Sequence, residues 1–69
     1  MNILVLTVNG VRREVSAPQT VATLLAHESL RERRVAVEVN GELVPKSRHA
    51  DTALASGDAV EIVVAVGGG

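Results

Sequence analysis

The 69-residue chain contains no cysteine, phenylalanine, tryptophan or tyrosine, and only two prolines. Without cysteine there can be no disulfide framework, thiolate zinc site, redox pair or cysteine nucleophile, so any sulfur chemistry must run through another group. Without aromatic rings the chain lacks the platforms on which single-stranded nucleic acids stack, and a formal net charge of −1 offers nothing to attract a phosphate backbone. No stretch approaches the roughly 20 apolar residues that cross a bilayer, and the first apolar run starts without a basic leader, so the expectation is a cytoplasmic protein. Charge is uneven along the chain: residues 1–34 carry a formal +2 and residues 35–69 a −3. An acidic second half is suited to steering toward a basic partner surface.

What the chain has is aliphatic. Residues of hydrophobic type make up 46% of it, and valine supplies 13 of them. At this length one domain is expected, burying about 60% of the surface its unfolded chain exposes. Asn2–Val8 is a short, branched apolar run that reads as a strand, and Asn9-Gly10 after it is a type I′ hairpin signal returning through Val11–Ser16. Pro18 breaks the strand pattern, and Thr20 is placed to cap a helix whose stripe is Val21, Leu24 and Leu25, at i, i+3 and i+4. Arg31, Arg33 and Arg34 follow, where positive charge suits the carbonyl end of a helix.

Val35–Val39 alternates as a third strand, Asn40-Gly41 repeats the turn signal, and Glu42–Val44 is a short edge strand ended by Pro45. Residues 46–54 show no period and read as a loop with a helical turn, and Ala55–Asp58 is a turn. The last strand, Ala59–Val66, puts Val60, Ile62, Val64 and Val66 on one face and Ala59, Glu61, Val63 and Ala65 on the other. This order describes an α+β, β-grasp roll: a mixed sheet of four to five strands with one helix packed across one face. The first and last strands are the most apolar and belong side by side and parallel at the centre. One helix covers one face only. Some of Leu4, Leu6, Val63 and Ala65 are therefore expected on an exposed apolar surface suited to a partner, unless the loops of residues 46–58 cover it.

Gly67, Gly68 and Gly69 follow the last strand as a flexible tail to a domain of residues 1–66. A run without side chains neither packs nor orders cheaply, but it can enter a site too narrow for any Cβ and present a carboxylate there. That describes a substrate of other enzymes more than an enzyme. The carboxylate needs activation by ATP to an acyl-adenylate before a sulfur or amine nucleophile can attack it. Nothing else in the chain offers catalysis. The glycines precede no helix, so they form no phosphate-binding turn. His27 and His49 are lone imidazoles read as surface residues, with no metal expected. Ser16, Ser29, Ser47 and Ser56 lie in no nucleophile motif, and Glu38, Glu42, Asp51 and Asp58 are explained by solubility or local hydrogen bonding.

The stretch Val39-Asn40-Gly41-Glu42-Leu43-Val44-Pro45, then Leu54 before Gly57-Asp58, then Val60 through Gly69 resembles the ThiS family of thiamin-biosynthesis sulfur carriers. The resemblance spans nearly the whole chain and is most specific at Val44-Pro45, Gly57-Asp58 and the Gly68-Gly69 end. It implies a ubiquitin-like carrier that binds no cofactor itself. Its terminal Gly69 would be adenylated by a ThiF-like, ATP-using enzyme and converted to a thiocarboxylate with sulfur from a persulfide donor. Thiazole synthase (ThiG-like) would then take the sulfur into the thiazole ring. Relatives often carry an aromatic residue in the loop where His49 stands. The MoaD family, the small subunit of molybdopterin synthase, shares the fold, the diglycine end and the activation step, but its tail usually carries prolines where this chain has Val63-Val64-Ala65-Val66. A ubiquitin-like protein modifier would use the same activated carboxyl, and a small interaction module would use the sheet face alone.

Overall fold

A computed structural model describes residues 2–30 and 33–65. The expected tail, Val66 and Arg31 lie outside the described residues. The elements run β1 (Ile3–Val8), β2 (Val11–Ser16), α1 (Val21–His27), β3 (Val35–Val39), β4 (Glu42–Val44), a 3-10 turn (Lys46–Arg48) and β5 (Ala59–Val64). Five strands form one mixed sheet in the order β2-β1-β5-β3-β4. The first and last strands lie side by side and parallel, with Thr7 opposite Ala59 and Val8 opposite Val60, and every other pairing is antiparallel. The expected mixed sheet with one helix on one face is the observed architecture.

Both Asn-Gly turns have the positive φ values that select this dipeptide: 51° and 83° at Asn9 and Gly10, and 52° and 85° at Asn40 and Gly41. Their side chains do more than permit the turn. β5 outruns β1, whose ladder to it ends at Val8, and Asn9 replaces the missing strand. Its amide donates to the Ile62 carbonyl at 3.1 Å and its Oδ1 accepts from the Ile62 N–H at 2.7 Å. Asn40 holds the start of the same strand: its Oδ1 accepts from the Ala59 N–H and its amide donates to Asp58 Oδ1, each at 2.9 Å. Asp58 Oδ2 in turn accepts from the Ala55 N–H at 2.8 Å, closing the turn around Gly57.

α1 starts at Thr20, whose Oγ1 accepts from the Thr23 N–H while Thr23 Oγ1 accepts from the Thr20 N–H, a reciprocal capping box. The other free N–H groups of the first turn are met by the segment after the 3-10 turn. Val21 donates to the Thr52 carbonyl and Ala22 to the His49 carbonyl, both at 3.0 Å, so each early helical N–H has a partner. Val21, Leu24 and Leu25 face inward, as their spacing predicts, onto Leu6, Val8, Val37, Leu54, Val60 and Ile62.

The structure corrects two expectations and decides one alternative. Leu6 is 1% exposed and Leu4 half-buried, because both lie on the helix face with Val60 and Ile62; neither shares a surface with Val63 and Ala65. His49 is not a surface residue: it is 7% exposed, and its Nε2 donates to the Val44 carbonyl at 3.0 Å. The alternative in which the loops of residues 46–58 cover the open face does not hold: Val63 there is 64% exposed, and His49, Thr52 and Ala53 are stitched to the start of α1.

Candidate functional site

The parallel β1–β5 register puts odd-numbered residues of both strands on the face away from α1. There β5 presents Ala59, Glu61 and Val63, flanked by Thr7 and Val5 of β1 and by Ala36 and Glu38 of β3. Val63 is 64% exposed, with Ala36 directly across the ladder; Leu43 of β4 is 66% exposed beside Glu38. Ala65 is also exposed. Of the four residues expected on an exposed apolar surface, Val63 and Ala65 are exposed, while Leu6 belongs to the core and Leu4 packs against it.

The apolar surface has one unfavourable feature. Glu38 and Glu61 stand directly opposite each other on β3 and β5, a cross-strand pair of like charges that costs stability. Both are exposed, so water screens the repulsion, but a cation brought by another molecule would relieve it further. Periodicity alone gives no sign of this pair, because it depends on which residues of β3 and β5 align.

β5 ends at Val64, which pairs with Val35, and the next residue, Ala65, donates its N–H to the Arg34 carbonyl at 2.9 Å. A groove of about 170 Å³ adjoins this end of β5, lined by Leu25, Arg33, Arg34, Val35, Lys46 and His49. Three basic residues, Arg33, Arg34 and Lys46, line this groove, while the open face carries the acid pair. Asn9 grips β5 at Ile62, three residues before Ala65, so the end of β5 is held on one side by Asn9 and on the other by β3. Those glycines lie outside the described residues.

The model of the ThiS family matches residues 6–69. The chain belongs to the ThiS family. Similar solved structures include the thiamine biosynthesis protein ThiS of Geobacter metallireducens in its crystal form, with a TM-score of 0.80 and 35% identity over 96% of this chain and all of that one. The solution structure of a thiamine biosynthesis protein from the same organism gives the same score and identity, covering 88% of that chain. Among curated proteins, a thiazole synthase of Paramagnetospirillum magneticum is 48% identical over 64 residues. The match takes in 93% of this ThiS-family chain but spans only 20% of that much longer protein. The uncharacterized protein ycf40 of Porphyra purpurea is 34% identical over 62 residues, covering 90% of this chain and 87% of that protein. The β-grasp arrangement of a mixed sheet and one helix is thus shared with ThiS structures.

Proposed function

We propose that this ThiS-family chain is a sulfur carrier for thiazole formation, a protein co-substrate acted on by other enzymes and not itself a catalyst. The observation that carries this reading is the family match running through residue 69, so that Gly67, Gly68 and Gly69, which follow β5 in the sequence, fall within it. With Gly69 as the carboxyl terminus, a carboxylate oxygen attacks the α-phosphorus of ATP in a ThiF-like enzyme and pyrophosphate leaves. The terminal sulfur of a persulfide then displaces AMP to give an acyl disulfide. A second thiol cleaves the S–S bond, leaving the thiocarboxylate on Gly69 and a disulfide on the donor side. ATP is used by the activating enzyme, and the carrier holds no cofactor of its own.

Thiazole synthase is the proposed acceptor of the sulfur. In support, a segment like this chain forms about a fifth of a protein named thiazole synthase, which places a carrier-like sequence and a named synthase in one polypeptide. The body docks through the open face at Val63 and Ala65, where the Glu38–Glu61 pair favours a basic residue on the partner. Glycine at the last three positions lets the chain end enter a site that any Cβ would block.

The test is an intact mass after incubation with ATP, a ThiF-like enzyme and a persulfide donor. The expected result is a gain equal to exchanging one oxygen for one sulfur, absent when Gly68 and Gly69 are deleted. No gain with a partner set that is competent on another ThiS protein would overturn the reading, as would growth without thiamin supported by the truncated chain.

A further inference from the structure

The free edge of the sheet at β2 has no part in the sulfur-carrier reading. Among the described residues β2 pairs on one side only, with β1. Just beyond the strand, Ala17 donates its N–H to the Asn2 carbonyl at 3.0 Å, which makes that pair a hydrogen-bonded one. By the alternation of an antiparallel ladder, Val15, Arg13 and Val11 are then the residues that exchange bonds with β1. The N–H and C=O groups of Arg12, Glu14 and Ser16 consequently point away from the sheet. The edge they form is six residues long, contains no proline and is exposed from Val11 to Glu14. An edge of that length is a template for another strand.

This phase restricts what a second β2 could do, because outward groups must meet outward groups. In an antiparallel pair centred on Arg13, Arg12 faces Glu14 of the second copy and Glu14 faces its Arg12. Val11, 60% exposed in the single chain, then covers the second copy's Val15 on the other face, and the reverse contact is made as well. Arg13 meets its own symmetry mate, but each is already ion-paired with Glu28 at the end of α1. Sliding one strand by two residues either way sets Arg12 against Arg12 or Glu14 against Glu14, so charge selects a single register.

We propose that β2 is a self-association edge, at which two copies join β2 to β2 in the Arg12–Glu14 register and double the five-stranded sheet. Within one chain Arg12 and Glu14 are 2.9 Å apart on the same face and mostly exposed; in the dimer they become half of a four-charge cluster. The contact is one strand wide, well under the roughly 1,200 Å² of stable interfaces, so the dimer exchanges rapidly and fills at high concentration. β5 lies two strands in from this edge, so the end of β5 and the face around Val63 stay open in both copies. Self-association and thiocarboxylate formation therefore stand or fall separately.

The test is sedimentation velocity of the whole chain in low salt, up to millimolar concentration, for the wild type, Arg12→Glu, and the double variant Arg12→Glu/Glu14→Arg. The wild type should move toward twice the monomer mass, with the Arg12 and Glu14 amide protons gaining exchange protection. Arg12→Glu should weaken association by about tenfold or more, because two attractive pairs become repulsive. The double variant should restore it by reversing both pairs. Both sites are exposed, and an unchanged circular dichroism melt confirms the fold of each variant. A wild type that stays monomeric throughout would overturn the proposal; so would a dimer equally strong in all three proteins, or protection confined to the open face.

Discussion

Leu6 and Val63 sit in the two central strands of one sheet, yet one is 1% exposed and the other 64%. Both are aliphatic, and both follow the same alternation. The difference is the layer on each side. Leu6 is packed in one cluster with Val21, Leu24 and Leu25 of α1 and with Leu54. Over Val63 no described residue forms a second layer, and its neighbours Ala36, Glu38 and Glu61 are exposed as well. One face is the core of a small domain that has no disulfide to help it; the other is apolar surface left available to a partner, marked by a like-charge pair that folding alone would not favour.

The same substitution on the two faces tests that contrast most directly. Leu6→Asp puts an unpaired carboxylate in the core at a cost of at least about 4 kcal/mol. A chain of this length has only about 3–10 kcal/mol in total, so urea titration should find the variant largely unfolded. Asn9→Ala is expected to cost about 1–3 kcal/mol, because it leaves the N–H and C=O of Ile62 without their partners and asks alanine to hold a positive φ. Amide exchange in that variant should speed up first at Ile62, loosening the strand that leads to Gly67. Thr20→Ala removes one half of the capping box and should cost about 1 kcal/mol in the same titration.

Val63→Asp should cost about 1 kcal/mol or less, from the poor strand propensity of aspartate and its nearness to Glu61, since the side chain stays in water. Its effect should appear in binding to a ThiF-like enzyme, measured by calorimetry, where added negative charge and lost apolar contact both act against docking if the open face is the interface. A Val63→Asp chain that binds as well as the wild type would move the interface elsewhere. A chain that loses stability as Leu6→Asp does would erase the distinction between the faces.

Much of the fold was legible from local signals. Asn9-Gly10 and Asn40-Gly41 announced their hairpins, Thr20 its helix, and the stripe Val21, Leu24 and Leu25 the buried side of that helix. The parallel centre followed from the apolar character of the first and last strands. Less of the site could be read. Alternation says that Leu4, Leu6 and Val8 share a face and that Val63 shares one with Glu61, but it cannot say whether the two sets coincide. A register shift of one residue between β1 and β5 exchanges them.

His49 was missed for a similar reason. Its burial comes from a carbonyl that meets the Ala22 N–H and a ring nitrogen that reaches Val44, contacts between segments 27 and 5 residues apart that leave no periodic trace. Asn9 was read correctly as a turn residue, while its grip on Ile62, 53 positions away, had no local sign.

The sequence by itself determined the elements, their turns and caps, and the glycine end, because each of these depends on dihedral preferences and side-chain spacing within a few residues. Tertiary structure decided which face α1 covers, that Glu38 meets Glu61, and that two asparagines clamp β5. Each of those is a matter of register between distant strands. Register is set by the whole sheet closing on its core at once, and no segment carries that information alone.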